Sequence, residues 1–329
     1  MWGFIKMVLS IVAGLVLLVA AMFAADWLKL SHEVDGTYDF DPASIPEDLD
    51  AYLEAKESSV PNLRHELRKQ ILWAGEVGEK KDLALVYFHG FSGSNQELQP
   101  VPQRVADALG ANLYLGRWTG HGQDGDAMGE ARGNDWLVDA AESLEIGTRI
   151  GERVIVMGTS FGGSMTTIAA ADPVMSDKVD AIVFTAPNFA LANPATPILT
   201  LPGIRTWGAW VAGEYREFVP KNDLHRRYWT PRYPNQAAIS LGHITKFVQG
   251  LSYEQISQPA LFIYSEEDTV VKPSAIRAAI KRWGGPTETE VIQPGEGIDK
   301  DGHVITGDNL SPGSTELVID RIVHWVNAL

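Results

Sequence analysis

Beyond residue 60, short apolar runs alternate with longer stretches whose apolar residues recur every three or four positions. "QILWA" (70–74), "LALVYF" (83–88), "NLYL" (112–115), "RVIVM" (153–157), "AIVFT" (181–185), "ALFIY" (260–264) and "TEVIQ" (289–293) have strand length. Several are apolar throughout instead of alternating, as in strands covered on both faces. Helical spacing falls between them, around 98–109, 134–150, 162–171, 274–283 and 314–328. Strands alternating with helices of this length predict β-α-β units and an α/β fold, with a mostly parallel central sheet flanked by helices.

Two regions break that rhythm. Residues 188–250 have no strand pattern but carry Trp207, Trp210, Tyr215, Phe218, Tyr228, Trp229 and Tyr233. They predict a helical insertion covering the carboxyl edge of the sheet. The other region is the N-terminus, where Met7–Ala25 run for 19 residues without a charge. At about 1.5 Å rise per residue, such a helix nearly matches the ~30 Å hydrocarbon core of a bilayer. Lys6 precedes it and Asp26 follows, an asymmetry that puts the main body outside the cytosol, a bacterial periplasm for example. A cleaved signal peptide, giving a secreted protein, is the competing reading. Against it, the run is longer than a usual signal core, and Ala24 or Ala25 makes a poor cleavage site. Residues 26–60 read as a stalk, punctuated by Pro42 and Pro46, that ends in the short helix of "PEDLDAYLEAKES". The expected organisation is an anchor or signal segment at 1–28 and a stalk with its helix at 29–60. A core at 61–187 and 251–329 follows, with a cap at 188–250.

Composition narrows the function classes. With 42 acidic and 27 basic residues the formal net charge is −15, and no Lys/Arg stripe marks a nucleic-acid footprint. The chain has no cysteine, which excludes disulfides, thiolate metal sites and a cysteine nucleophile. HExxH and a Walker loop are absent, and "DKDGH" (299–303) lacks the acid spacing of an EF-hand, so no cofactor is expected.

Positive chemistry begins at "GTSFG" (158–162), a G-x-S-x-G pattern between an apolar strand and the small-residue helical stretch "GGSMTTIAAA". A serine on such a strand-to-helix turn takes an unfavourable backbone conformation, so its neighbours must be small; Gly158, Gly162 and Gly163 supply the room. Ser160 is thus the candidate nucleophile. A serine hydroxyl needs a base beside it and a third group to orient that base, in the chain order Ser, acid, His on this scaffold. Asp268 follows the strand "ALFIY" in "SEEDTVV", with Glu266 and Glu267 as rivals on the same loop. His303 follows "TEVIQ" in "DGHVITGD"; the only other histidine after the acid, His324, lies inside a helical pattern. For the oxyanion of a tetrahedral intermediate, the backbone N–H groups of Phe91, in "YFHGFSGS", and of Phe161, directly after the serine, are the candidate donors. His89 and His121, in glycine-bounded loops, read as loop braces.

The motifs "HGFSGS", "GHG", "GTSFGG", "EEDTVV" and "GHVITGD", spread over residues 85–308, resemble the α/β-hydrolase superfamily. The branch holding monoacylglycerol lipases, lysophospholipases, carboxylesterases and serine aminopeptidases is the most similar. The resemblance implies Ser160, Asp268 and His303 as a triad, Phe91 and Phe161 as oxyanion donors, and a cap over the site. An aromatic-rich cap suits a small-molecule ester with an apolar acyl or alcohol part. An aminopeptidase on the same triad would need an acid to hold the substrate ammonium, with Glu214 and Glu217 as candidates. A membrane-tethered binding scaffold with a vestigial triad is the third reading.

Overall fold

In a computed structural model of the chain, residues 2–28 and 34–329 are described. Nine strands follow in chain order: β1 (Gln70–Leu72), β2 (Lys81–Phe88), β3 (Asn112–Leu115), β4 (Gly151–Thr159), β5 (Ala181–Thr185), β6 (Tyr215–Glu217), β7 (Arg232–Pro234), β8 (Ala260–Tyr264) and β9 (Thr287–Val291). Seven of them form one sheet in the order β1-β3-β2-β4-β5-β8-β9. Only the β1–β3 pair is antiparallel, as the alternation of elements predicts. The last strand runs 287–291, where the sequence pattern pointed to 289–293.

The unbroken apolar runs are explained by the two layers they feed. Successive side chains of a strand point to opposite faces. Val86 and Phe88 of β2 and Val154 and Val156 of β4 therefore enter one buried cluster, with the helices Gly133–Ile150, Phe161–Ala171 and Pro273–Arg282. Leu85, Tyr87, Ile155 and Met157 enter the other, with the helices Val101–Leu109 and Thr315–Asn327. Both faces are buried, so neither set of positions tolerates a polar residue without a partner.

Two expectations are corrected. The insertion at 188–250 is not wholly helical. It contains the antiparallel ribbon β6–β7, with Glu217 opposite Arg232 and Arg216 opposite Tyr233. Each of these strands is three residues long, too short for a period-two pattern to show in the sequence. Around the ribbon lie the helices Ile204–Ala212, Asp223–Tyr228 and Asn235–Gln249.

The second correction concerns residues 34–60, which do not form a free stalk; residues 29–33 of that expected stalk lie outside the described residues. Val34, Tyr38 and Phe40 pack on the core, and Ile45, Leu49 and Leu53 are buried in it. The helix Leu49–Ser58, N-capped by Asp48, sends Glu57 into the interior, where it meets Arg117 in a bidentate pair at 2.7 Å. Glu57 also accepts the Lys69 N–H at 2.8 Å. The Lys69 ammonium lies 3.0 Å from Asp139 and 2.5 Å from Glu142. Burial would depress its pKa, but those two carboxylates hold it well above the ordinary lysine value.

Candidate active site

The loops that carry the candidate residues all leave carboxyl ends of parallel strands, so they meet along one edge of the sheet. Ser160 follows β4 and starts the helix Phe161–Ala171 with φ 51° and ψ −113°, a conformation non-glycine residues avoid. Such strain costs on the order of 1–3 kcal/mol and persists only where neighbours enforce it. Here Ser160 N–H donates to Thr185 O at 3.0 Å, and Ser160 O accepts from Asn188 N–H at 2.9 Å. The glycine requirement is steric: a Cβ on Gly162 would lie 1.9 Å from Phe88 O, and one on Gly158 2.4 Å from Thr166 Oγ1.

The structure brings Ser160, His303 and Asp268 together. Ser160 Oγ lies 2.9 Å from His303 Nε2, and His303 Nδ1 lies 2.8 Å from Asp268 Oδ2. A carboxylate only accepts, so Nδ1 carries the proton and Nε2 is left to accept from the serine hydroxyl. The second oxygen of Asp268 accepts from Val270 N–H at 2.8 Å and Val271 N–H at 2.9 Å, which fixes the carboxylate plane. Thr269 N–H donates to Asp301 O at 2.9 Å, tying the acid loop to the histidine loop. Burial alone would lower the His303 pKa; the charge and hydrogen bond of Asp268 more than offset it, so the imidazole titrates above its ordinary value of 6.5. The rivals do not reach: Glu266 is exposed and pairs with Arg277, and Glu267 is exposed. His324 is exposed on the last helix.

Among the described residues, neither the Phe91 nor the Phe161 backbone N–H has a hydrogen-bond partner. Phe161 N–H is the first of the helix, where it has no intrahelical acceptor and adds to the positive end of the dipole. The Phe91 ring is caged edge-on by His121, Trp136, Phe161 and Tyr233, at centroid distances of 5.5, 6.2, 5.9 and 5.5 Å. His89 and His121 brace this loop as the sequence suggests. Ser92 N–H donates to His121 Nε2 at 3.3 Å, and Trp118 N–H donates to His89 Nε2 at 3.3 Å. Burial depresses both imidazoles, His121 to about 4 and His89 well below its usual value, so both remain neutral acceptors.

A cavity of about 1270 Å³ opens above Ser160, with Phe91 and His303 on its core side and Trp207, Val211 and Val219 on the insertion. Glu214 and Glu217 also line it, but both are solvent-exposed. The insertion is tied to the core beside the site. Thr230 N–H donates to Ser92 O at 2.7 Å, and Lys221 pairs with Asp299 and Asp301 of the histidine loop. Sequence reading missed Glu97, a buried acid under the Phe91 loop; its one signal is a lone charge in an otherwise uncharged stretch from Phe88 to Leu98.

The chain is 24% identical over 254 residues to the thermostable monoacylglycerol lipase of Bacillus sp. (strain H-257), covering 75% of this chain and 91% of that protein. Its backbone matches a structure from work on the metagenome-derived lipolytic enzymes LipS and LipT, with a TM-score of 0.64 and 19% identity over 81% of this chain and all of that one. It also matches the monoacylglycerol lipase of Paleococcus ferrophilus, with a TM-score of 0.55 and 15% identity over 79% of this chain and 98% of that one. These neighbours give the α/β-hydrolase fold. Residues 79–295 match the family described as Serine aminopeptidase, S33, so the chain belongs to that family of α/β-hydrolases.

Proposed function

We propose that the protein is a serine hydrolase of carboxylic esters, with Ser160, His303 and Asp268 as its triad and Phe91 and Phe161 as oxyanion donors. One observation carries the reading: an imidazole 2.9 Å from a serine hydroxyl on one side and 2.8 Å from a buried carboxylate on the other. Ser160 Oγ attacks the ester carbonyl as His303 Nε2 takes its proton, and Asp268 stabilises the imidazolium without itself being protonated. The oxyanion lies against the N–H groups of Phe91 and Phe161. His303 then protonates the departing alcohol, an acyl group stays on Ser160, and water activated by the same imidazole releases the acid.

The likeness to proteins named as lipases supports an apolar ester, and so do the apolar side chains of Trp207, Val211 and Val219 on the insertion wall of the cavity. An aminopeptidase would need a desolvated acid for the substrate ammonium, and the exposed Glu214 and Glu217 do not supply one. Residues 61–187 and 251–329 serve as the catalytic core and 188–250 as its cap. The helix Trp2–Leu28 serves as an anchor holding this domain on the outer side of a membrane: its segment Trp2–Ala21 has a mean hydropathy of 2.6 and buries nothing.

Labelling with a fluorophosphonate, followed by peptide mapping, tests the nucleophile. The adduct is expected on Ser160 and absent from Ser160→Ala. Hydrolysis of p-nitrophenyl acyl esters is expected to exceed that of aminoacyl anilides by at least about 100-fold; faster anilide cleavage would refute the ester assignment.

A further inference from the structure

Beneath the Phe91 loop lies a carboxylate that the reaction scheme above does not use. Glu97 is 3% exposed. Its Oε1 accepts from Gly90 N–H and, at 2.9 Å, from the Tyr87 hydroxyl. The same Tyr87 oxygen lies 3.2 Å from Oγ1 of Thr159, the residue directly before Ser160. Thr159 in turn meets the Thr185 hydroxyl on β5 at 2.5 Å. A continuous buried chain therefore runs from the Phe91 loop to the turn that carries the nucleophile.

The glycines of "HGFSGS" have their reason here. A Cβ on Gly93 would lie 1.9 Å from Glu97 Oε2, and one on Gly90 3.1 Å from the same carboxylate. The loop is stripped of side chains where this acid sits. On the far side, Asn309 Nδ2 donates to Gln96 O at 2.7 Å and to Glu97 O at 2.8 Å, joining Glu97 to the segment that follows His303.

We propose that Glu97 is a positioning residue for the reaction: its carboxylate pins the Phe91 loop to the strand of Ser160, and its ionisation is coupled to that of His303. This rests on the serine-hydrolase reading above. Pinning the Gly90 amide from below and caging the Phe91 ring from the sides fixes the free Phe91 N–H before substrate arrives. A preorganised donor of this kind needs no rearrangement as the oxyanion forms.

The charge acts as well. Burial raises the Glu97 carboxyl to about 7, against the opposing pull of its Gly90 and Tyr87 hydrogen bonds and of His303. Those two side chains are the titratable groups facing it, and Tyr87 stays neutral because burial and Glu97 both raise its hydroxyl. Glu97 in turn adds to the forces that raise His303. The two titrate as a coupled pair, and the ionised carboxylate favours the imidazolium that forms when His303 takes the serine proton.

Glu97→Gln keeps an acceptor but removes the charge. In the full chain in detergent, kcat on p-nitrophenyl butyrate is expected to fall about tenfold with KM nearly unchanged. The acid limb of kcat/KM is expected to move to lower pH, since removing the ionisable carboxyl disfavours the imidazolium. A profile that superimposes on wild type after scaling, or a loss confined to KM, overturns the proposal. Should Glu97→Gln not fold, the ¹³C carboxyl resonance of Glu97 in wild type and His303→Gln decides. Loss of the imidazolium must move the Glu97 midpoint upward, and an unmoved midpoint overturns the proposal. Fluorophosphonate labelling of wild type separates the two readings: no label on Ser160 refutes the serine hydrolase itself, whereas label with superimposed profiles refutes only Glu97.

Discussion

On the core side of the cavity the reactive groups are held by neighbours at every step: Asp268 by two backbone amides, His303 by Asp268, and Ser160 by β5. On the insertion side, Val211 and Val219 are 74% and 88% exposed. The first wall is held because each triad group has a hydrogen-bonded partner, so displacing one strands another. The second exposes apolar surface that a folded monomer normally hides. Under the proposed reaction, geometry and substrate choice fall to opposite walls, so each should be alterable without the other.

The comparison breaks most completely on the core side. Ser160→Ala is expected to lower kcat by at least about 10⁴-fold, with an unchanged circular dichroism spectrum. Asp268→Asn is expected to cost about 10³- to 10⁴-fold, because an amide in that place allows the wrong imidazole tautomer. Glu266 cannot substitute, being exposed and paired with Arg277. Wild-type kcat/KM is expected to fall tenfold per pH unit on the acid side, with a midpoint above 6.5, because His303 must be neutral to accept the proton and Asp268 raises its pKa. The midpoint should drop in Asp268→Asn, as read from rate profiles between about pH 5 and 9.

A stability variant sharpens the same contrast. Glu57→Gln leaves the buried Arg117 guanidinium without its carboxylate and is expected to destabilise the fold by about 3–5 kcal/mol in urea unfolding. On the insertion side, Val219→Asp is expected to lower kcat/KM for long-chain esters about tenfold while leaving p-nitrophenyl acetate within about twofold. Equal losses on both esters would mean the two walls are not separable. Deleting residues 1–28 should change turnover of soluble esters the least, by less than about twofold. Deleting residues 1–60 should abolish folding, because Ile45, Leu49 and Leu53 belong to the core.

The core was legible because its constraints are local. A strand, a glycine-flanked serine and a following helix lie within 21 consecutive residues, and the apolar runs of β2, β4, β5 and β8 match their burial on both faces. Asp268 and His303 could be placed because each follows a strand end. The ribbon β6–β7 stayed hidden because its pairing is set by tertiary contact: a Cβ on Gly125 would lie 1.8 Å from Arg232 O, and Tyr215 OH donates to Asp126 at 2.9 Å. Glu57, Lys69, Asp139 and Glu142 read as ordinary charged positions, since burial of an ion shows only when its partner, distant in the chain, is in place. Glu97 escaped for the same reason.

The early chain has one further consequence. Val34 already packs on the domain, and the apolar helix ends at Leu28. Six residue steps span at most about 20 Å, so a body attached to a helix lying in a bilayer cannot roam on a leash. It would skim the lipid surface, and its encounters with molecules dissolved in that surface would be a search in two dimensions.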